Sequence, residues 1–367
     1  MQMKITNISA QQYQWKRKNP IINGKHTYAN CAMTSLTIET DDGITGFAAV
    51  SAINYKMDYL GYFKNLLVGQ NPLDTELLWS KMWVPKLVGR KGLSTRFISL
   101  IDLALWDLKS KASSMPISKL LGGFREKVPA YIAGGYYEDG KGLAELAREM
   151  ERYVSLGVKT VKMKIGGLSL SQDAQRVKVV REAIGDDIGL LLDANCAYTF
   201  YDAIRFANMV EKYNPYFFEE PVSPEDYEGM KKISEKTSIP IAAGENEMTK
   251  YGFRDLIERA GVSIINVDAC IGGGITEFMK ISAFAEAHHI DVSPHGPQEI
   301  HAHLLGSIPN ALMLEYYPEE FDNIRFRSFQ NPLLLNSDGT VCVPNTPGLG
   351  TELITEDLEQ FKIYSSN

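Results

Sequence analysis

The longer part of the chain alternates short apolar runs with segments of helical periodicity. Helix-like segments such as 143–156, 174–184 and 275–288 separate the runs. Eight apolar strands, each followed by a crossover, predict a parallel sheet that closes into an α/β barrel. An open doubly wound sheet is the alternative, and fewer strands would be expected for it. The eight runs are VPAYIAG (128–134), VKTVKMKIG (158–166), IGLLLDAN (188–195), PYFFEEP (215–221), IPIAAGE (239–245), VSIINVDA (262–269), IDVSPHG (290–296) and ALMLEYY (311–317).

The N-terminal third of the chain has a mixed pattern. Residues 30–39 alternate in the manner of a strand, an Asp-Asp-Gly turn follows, and residues 44–50 return as a second strand, which predicts a hairpin. Residues 94–112 then place their apolar side chains on one helical face. Ser94 is the expected N-cap of this helix, and Pro116 lies just beyond its end.

These patterns divide the chain into three parts. We expect a mixed α+β unit over 1–125 and the barrel over 126–317. The last part, 318–367, loses the strand and helix rhythm but contains strand-like residues at 340–343. We expect this tail to pack back on the N-terminal unit.

Composition narrows the class of protein. Of the 367 residues 44% are hydrophobic, and 38 basic against 45 acidic residues leave a net charge of −7, which is typical of a globular protein and disfavours a nucleic-acid partner. The four cysteines show no C-x-x-C spacing, and the N-terminus has no apolar signal segment, so we expect reduced thiols and a cytoplasmic location. No run approaches the roughly 20 apolar residues that span a membrane.

Chemically active side chains follow the ends of the predicted strands, which is where parallel barrels carry their active sites. A single acid at a strand end is commonly a helix cap. A series of acids on consecutive strands, flanked by two lysines and a histidine, indicates a site instead. The residues are Lys162, Lys164, Asp193, Asn195, Glu219, Glu220, Glu245, Asn246, Asp268, His295 and Glu315.

Three of these carboxylates predict a metal site. Twenty-six residues separate Asp193 from Glu219, and 26 separate Glu219 from Glu245. Equal spacing brings the three to one point, where their repulsion requires a cation. All-oxygen ligation favours one Mg²⁺ per subunit, with Mn²⁺ as an alternative, over Zn²⁺. Strand residues alternate between faces, so we choose Glu219 as the ligand and expect Glu220 to lie farther out.

The remaining residues predict acid–base chemistry. Lys162 and Lys164 point to the same face, and their proximity and burial are expected to lower their pKa values, so that a neutral Lys164 could act as a base. A structural ion pair with the acids is the alternative. Asp268 on the neighbouring strand would orient His295 for proton transfer. Glu315 could hydrogen-bond to an oxyanion if its surroundings keep it protonated.

A cation with a base on each side suggests removal of the α-proton of a bound carboxylate substrate via an enolate. No other cofactor is indicated, because the run Gly272-Gly273-Gly274 does not fit the G-x-G-x-x-G dinucleotide fingerprint.

The sequence resembles the enolase superfamily, mandelate racemase subgroup, over nearly its whole length. The N-terminal unit, ending in IDLALWDLKSKASSMPISKLLGG, is similar to the family's capping domain. Asp268 stands where the muconate cycloisomerase subgroup would have a lysine. The family's K-x-K motif falls on Lys162 and Lys164, its metal ligands on Asp193, Glu219 and Glu245, its His-Asp dyad on His295 and Asp268, and its last acidic residue on Glu315.

The resemblance implies a modified (β/α)7β barrel whose α+β capping domain is completed by the C-terminal tail. It also implies dehydration of a sugar acid, either a mono- or a diacid, to a 2-keto-3-deoxy acid, with His295 protonating the leaving hydroxyl. Racemisation or epimerisation of a 2-hydroxy acid is the alternative, and a non-catalytic metal- and ligand-binding barrel is a remote one. Relatives of this kind are commonly homo-oligomeric.

In this family the loops of the capping domain determine specificity. The candidates here are 14–28 and 51–57, whose basic and polar residues suit a polyhydroxylated acid. We expect Asn195, His26 and Tyr55 to contact the substrate.

Overall fold

The computed structural model describes residues 3–51 and 55–366, so residues 52–54 of the second candidate loop lie outside the described part. The N-terminal unit is a four-stranded antiparallel sheet in the order β13-β1-β2-β3, covered by helices. Its predicted hairpin is confirmed. The strands are β1 (Ile5–Ile22), β2 (Thr27–Thr40), β3 (Gly46–Val50) and, from the tail, β13 (Lys362–Ser365).

The helices of this unit pack their apolar faces on the sheet. The predicted amphipathic helix is α4, but it begins after Gly92 rather than Ser94. The Ser94 hydroxyl donates to the Val88 carbonyl 2.5 Å away and so ties α4 to the end of the preceding short helix instead of capping α4. The helices are α1 (Asp58–Leu67), α2 (Thr75–Met82), α3 (Pro85–Val88), α4 (Leu93–Ser113) and α5 (Ile117–Leu120).

All eight predicted barrel strands are present, and the first seven pair in parallel with their neighbours in the chain. The last strand returns to pair with the first. The Val292 amide donates to the Asn310 carbonyl and the Leu312 amide to the Val292 carbonyl, both at 2.8 Å, which closes the ring and excludes an open sheet. The strands are β4 (Lys127–Gly134), β5 (Thr160–Lys164), β6 (Gly189–Asp193), β7 (Phe217–Glu219), β8 (Ile241–Ala243), β9 (Ile264–Ile265), β10 (Asp291–Val292) and β11 (Leu314–Tyr316).

Seven helices connect these eight strands, which gives the expected (β/α)7β architecture. Across residues 3–51 and 55–366, no helix combines the length and apolar character needed to cross a bilayer. The connecting helices are α6 (Leu143–Ser155), α7 (Leu170–Ile184), α8 (Phe200–Val210), α9 (Tyr227–Ser234), α10 (Thr249–Arg259), α11 (Gly274–Ala287) and α12 (Gln298–Leu305); the tail adds α13 (Asn323–Ser328), β12 (Thr340–Cys342) and α14 (Thr355–Leu358).

Strand alternation separates two cores. On β5, Val161 and Met163 point outward into the layer between strands and helices, whereas Lys162 and Lys164 point inward. An apolar plug fills the inside of the barrel beneath the polar strand ends and closes the site from below. The plug consists of Tyr131, Ala133, Leu191, Phe217, Ala242, Ile264 and Met313.

The tail contacts both domains. Strand β13 pairs with β1 of the capping sheet, whereas β12 pairs with the start of β4 on the barrel, so the expectation that the strand near 340–343 packs on the N-terminal unit is corrected. The reason is that residues 127–129 extend beyond both parallel neighbours of β4 and leave an edge that β12 covers.

The triple glycine, Gly272-Gly273-Gly274, lies where the capping domain docks on the barrel. The buried Asp102 side chain on α4 accepts hydrogen bonds from the Thr276 amide at 3.0 Å and from the Thr276 hydroxyl at 2.6 Å. Burial raises the pKa of Asp102 to about 7, although the Thr276 bonds oppose this. Gly274 has φ +81°, and a Cβ there would lie 2.2 Å from Asp102 Oδ2. Only glycine therefore allows α4 to approach α11 so closely.

We predict that Gly274→Ala lowers the free energy of unfolding in urea by about 2–4 kcal/mol, because it adds backbone strain and displaces buried hydrogen bonds. The control is Gly61→Ala on the exposed face of α1, where a Cβ meets no atom of the described residues within 4 Å. Alanine is the better helix former there, so this variant should gain up to about 1 kcal/mol. Equal stability of the two variants would contradict the docking role.

Candidate active site

The polar strand ends form a ring around the mouth of the barrel. Each chemically active side chain comes from the C-terminal end of its strand or from the residues just after it. In order around the barrel, β5 supplies Lys162 and Lys164, β6 Asp193, β7 Glu219, the β8 end Glu245, the β9 end Asp268, the β10 end His295, and β11 Glu315. The structure therefore brings together every residue predicted for catalysis and metal binding.

Three carboxylates meet in this ring. Asp193, Glu219 and Glu245 each offer an oxygen, and these oxygens lie within 4.8 Å of one another. Asp193 and Glu219 are completely buried. Within the described residues, Glu219 Oε1 and Glu245 Oε2 have no hydrogen-bond partner. Burial raises the pKa of Glu219, Lys162 lowers it, and the charges of Asp193 and Glu245 raise it again, for a net rise. The cluster needs more positive charge, and buried free carboxylate oxygens fit Mg²⁺.

Glu219 and the next residue face opposite ways. Glu219 shares the inward face with Phe217 of the plug. Glu220 has φ +42° and accepts hydrogen bonds from Asn246 Nδ2 at 2.9 and 3.0 Å. Its Oε2 also lies 3.3 Å from Cys196 Sγ. Glu220 thus lies outside the carboxylate cluster and contacts the loops that follow its neighbouring strands, as its place in the strand alternation predicts.

The two lysines lie at different depths. Lys162 Nζ is completely buried, 2.9 Å from Glu219 Oε2 and 2.7 Å from Glu315 Oε1. Lys164 Nζ hydrogen-bonds to Asp193 Oδ2 and lies 5.3 Å from the ring centre of Tyr136. Lys162 therefore links two strands inside the barrel, whereas Lys164 stands beside the carboxylate cluster.

Three expected pKa shifts are corrected by these contacts. Burial lowers the pKa of Lys162, but the surrounding carboxylates, Glu219 and Glu315 first, raise it well above its usual range. Burial lowers the pKa of Lys164, but Asp193 and the other negative groups around it together outweigh burial, and the net pKa is raised rather than lowered. For Glu315, burial raises the pKa, but the surrounding cations, Lys162 first, together lower it by more, so this carboxyl is ionised rather than protonated. Neighbours from other strands decide all three signs, and sequence spacing does not reveal how close these neighbours come.

Asp268 and His295 are paired. His295 Nδ1 lies 3.0 Å from Asp268 Oδ2, and its other nitrogen, Nε2, lies 3.7 Å from Glu245 Oε2. Burial lowers the pKa of His295, but Glu245 and Asp268 outweigh it, and the net pKa is well above its usual range. The ring is 30% exposed. Nε2 is therefore the nitrogen that faces the carboxylate cluster and is available for proton transfer.

The three expected substrate contacts lie in different environments. The backbone N–H of Asn195 (φ +43°) donates to Asp193 Oδ1 at 2.8 Å. The side-chain Oδ1 of Asn195 is buried without a hydrogen-bond partner in the described chain. His26 is exposed in the β1–β2 turn, next to Lys25, whose Nζ donates to the Cys196 carbonyl at 3.3 Å. The turn therefore touches the barrel mouth.

Tyr55 is only 3% exposed, and its hydroxyl donates to the Cys270 carbonyl at 3.1 Å. This hydrogen bond holds the capping domain on the barrel and occupies the Tyr55 hydroxyl. The expectation that Tyr55 contacts substrate is corrected for this reason.

The other candidate loop, 14–28, is also corrected: it is mostly strand, within β1 and β2, and only 23–26 form a turn. Its charged residues suggested a loop, but buried Trp15 and Ile21 continue the strand alternation.

Several tyrosines around the site were not predicted from the sequence. Tyr136 packs against the Lys164 ammonium group. Burial raises the pKa of Tyr28 to about 12, against the opposing charge of Lys164, and the Tyr28 hydroxyl accepts from Asn23 Nδ2 at 3.1 Å. Tyr317, which lies near Glu315 and Lys162, could have been found from its position two residues after Glu315, since alternate strand residues share a face. Tyr28 and Tyr136 carry no comparable signal, because Tyr28 follows the β1–β2 turn and Tyr136 lies beyond the end of β4, out of step with its inward-facing residues.

A closed barrel with a carboxylate cluster, a lysine and a His-Asp pair at its C-terminal end defines a metal-dependent enzyme that moves protons. The chain belongs to the enolase superfamily, mandelate racemase subgroup, as its sequence resemblance indicates. Residues 5–122 match the mandelate racemase / muconate lactonizing enzyme N-terminal domain, and residues 145–358 match the enolase C-terminal domain-like family.

Named relatives indicate which activities occur in proteins similar to this chain. The chain is 34% identical over 339 residues to arabinonate dehydratase of Saccharolobus solfataricus, covering 89% of this chain and 90% of the relative. It is 31% identical to 3,6-anhydro-alpha-L-galactonate cycloisomerase of Streptomyces coelicolor, covering 90% and 91%. L-talarate/galactarate dehydratase from Salmonella typhimurium, solved with Mg and L-lyxarohydroxamate, superposes with a TM-score of 0.90 at 27% identity, covering 100% and 94%. The chain is a lyase, and Mg²⁺ is its cofactor.

We predict that Gly296→Ala lowers the turnover rate by about 100-fold with the fold intact, because small displacements of reacting groups cost that much. Gly296 has φ +101°, and a Cβ would lie 2.7 Å from Asp268 Oδ2, the atom that faces His295. Turnover and thermal unfolding are to be measured together. Gly140→Ala, also at positive φ (+79°) but with no atom from the described part of the chain within 4 Å, is the control for backbone strain. Equal turnover in both variants would contradict this account.

Proposed function

We propose that the enzyme removes water from a sugar acid, a mono- or a diacid, and yields a 2-keto-3-deoxy acid. The observation that carries the proposal is the ring itself: the Asp193, Glu219 and Glu245 cluster has Lys164 on one flank and His295, paired with Asp268, on the other. This ring offers a proton acceptor and a proton donor to one bound carboxylate substrate.

When bound to the three carboxylates, Mg²⁺ supplies the positive charge that orients the substrate carboxylate and acidifies its α-proton. Lys162 forms ion pairs with Glu219 and Glu315. It therefore keeps these side chains in position and does not exchange protons with the substrate. Lys164 accepts the α-proton at Nζ once it is neutral. The Lys164 ammonium group is now held in its protonated form by its hydrogen bond to the Asp193 carboxylate. Asp193 is also one of the three metal ligands, so a bound cation would share the negative charge of Asp193.

The second half of the reaction needs an acid. Breaking the α C–H bond leaves an electron pair that forms the enolate, and this pair then expels the β-hydroxyl. His295 Nε2 donates the proton with which that hydroxyl leaves as water, while Asp268 keeps Nδ1 in place. The resulting enol ketonises to the 2-keto-3-deoxy acid. Asn195 Oδ1 and the exposed His26 are the proposed hydrogen-bonding partners of the substrate hydroxyls.

Racemisation or epimerisation of a 2-hydroxy acid is the second candidate. The observation that favours it is the presence of two proton-transfer groups on different strands, since Lys164 could remove a proton and His295 could return one to the other face. The two reactions share enolate formation and differ only in whether a β-hydroxyl leaves. The expected cytoplasmic location and homo-oligomeric state stay predictions.

The proposal is tested by incubating the enzyme with Mg²⁺ and a library of mono- and diacid sugars, arabinonate among them, in D₂O. Keto product is read by semicarbazide, and exchange at carbon two by NMR. We expect one acid, or a few closely related acids, to give keto product. Exchange or inversion without keto product would overturn dehydration in favour of racemisation, and no reaction with any acid would overturn the sugar-acid class.

We predict that Lys164→Ala and His295→Asn each lower turnover of that acid by about 10² to 10⁴-fold, because each removes a proton-transfer group. His295→Asn should still exchange the α-proton, since Lys164 remains. The control is Lys159→Ala, an exposed lysine just before β5, which should leave turnover and thermal unfolding unchanged. Full activity in both active-site variants would contradict the assigned roles.

A further inference from the structure

A second histidine lies directly behind the dyad. His301, on α12, is completely buried, and its ring contacts two loops of the site. Its Nε2 accepts a hydrogen bond from the Ala269 amide at 3.0 Å, and its Nδ1 lies 3.1 Å from the Pro297 carbonyl oxygen. These loops are the ones that carry Asp268 and His295, respectively.

The two contacts determine the protonation of the His301 ring. A backbone N–H only donates, so Nε2 must present its lone pair to Ala269; a carbonyl only accepts, so Nδ1 must carry the proton. The ring is therefore neutral, with hydrogen on Nδ1. Burial also lowers the pKa of His301, although the Asp268 charge opposes this, and the net direction agrees with a neutral ring.

The lone pair of His301 faces the dyad's carboxylate. Nε2 lies 3.6 Å from Asp268 Oδ1, and neither atom carries a proton, so no hydrogen bond joins them. Asp268 Oδ1 instead accepts from the Cys270 amide at 2.7 Å, while Oδ2 faces His295 Nδ1 at 3.0 Å. A ring that donated to Asp268 would compete with His295 for the carboxylate charge, and the observed ring does not.

We propose that His301 is the positioning residue of the Asp268–His295 pair: it fixes the peptide that follows Asp268 and, by offering a lone pair instead of a proton, leaves the carboxylate to orient His295. The inference rests on the proposed function, since it assumes that His295 transfers a proton to the leaving group. Within the described residues, no hydrogen bond or ion pair of His301 reaches a metal ligand, and we assign it an action through Asp268 alone.

The same helix provides a matched control. His303 is also completely buried, but its Nε2 lies 3.1 Å from the Leu349 carbonyl in the tail, and its Nδ1 has no hydrogen-bond partner in the described chain. It contacts no member of the dyad through the hydrogen bonds described. Substituting it disturbs the same helix without disturbing Asp268.

The test compares His301→Leu, His301→Gln and His303→Leu, each with Mg²⁺ and the sugar acid that turns over in the library. His301→Leu should lower kcat by about 10- to 100-fold with KM changed by less than about threefold, since positioning rather than binding is lost. It should keep exchange at carbon two in D₂O, the pattern expected of His295→Asn. His301→Gln, whose amide oxygen can accept from Ala269, should recover most of kcat, and His303→Leu should lower the unfolding temperature but keep kcat within about twofold.

Wild-type kcat in a folded His301→Leu variant, or equal losses in His301→Leu and His303→Leu, would overturn the inference. Should His301→Leu not fold, histidine ¹⁵N spectra of the wild-type enzyme decide: we expect the His301 signal, identified by its loss in His301→Gln, to show a neutral ring protonated at Nδ1. Protonation at Nε2 would overturn the inference. If His295→Asn itself dehydrates at the wild-type rate, the proposed function fails instead, so the two failures are distinguishable.

Discussion

The central constraint on this molecule is the repulsion among three carboxylates held within 4.8 Å of one another at the mouth of the barrel. Two of the three are completely buried, where like charges repel strongly and little water screens them. Positive charge must therefore come from neighbouring groups, and β5 supplies two ammonium groups on the same inward face. Even so, burial and the remaining repulsion keep the pKa of Glu219 above its usual range. The cluster is complete only with a cation.

The barrel meets this constraint through the alternation of strand residues. Because side chains two apart share a face, Lys162 and Lys164 both enter the barrel, while Val161 and Met163 fill the outer core. A shift of one residue would exchange the two sets. The apolar plug below the ring excludes water from that side, and the capping domain, docked through Asp102 and the triple glycine, covers the outer loops.

Features that depend on periodicity or on order along the chain could be predicted from the sequence. The eight barrel strands, the hairpin at 30–50 and the ring of polar strand ends are of this kind, since each follows from local pattern and from parallel pairing. The choice of Glu219 over Glu220 as the inward residue also follows from alternation alone.

Features that depend on distant neighbours could not be predicted. The signs of the pKa shifts of Lys164 and Glu315 depend on ion-pair partners from other strands. The buried hydroxyl of Tyr55 and the pairing of β12 with β4 depend on how the domains and the tail meet. His301 looks like any helical histidine in the sequence, and only its contacts with Ala269 and Pro297 connect it to the dyad.

The most direct test of the metal cluster is a calorimetric titration of the protein with Mg²⁺. We expect one site per chain, weakened on the order of 100-fold or more in Asp193→Asn and in Glu219→Gln, because each variant removes one ligand charge. Glu228→Gln, on the exposed surface of α9, should bind Mg²⁺ as the wild type does. Undiminished binding in both ligand variants would contradict the account, because the cation that the buried carboxylates require would then lie elsewhere.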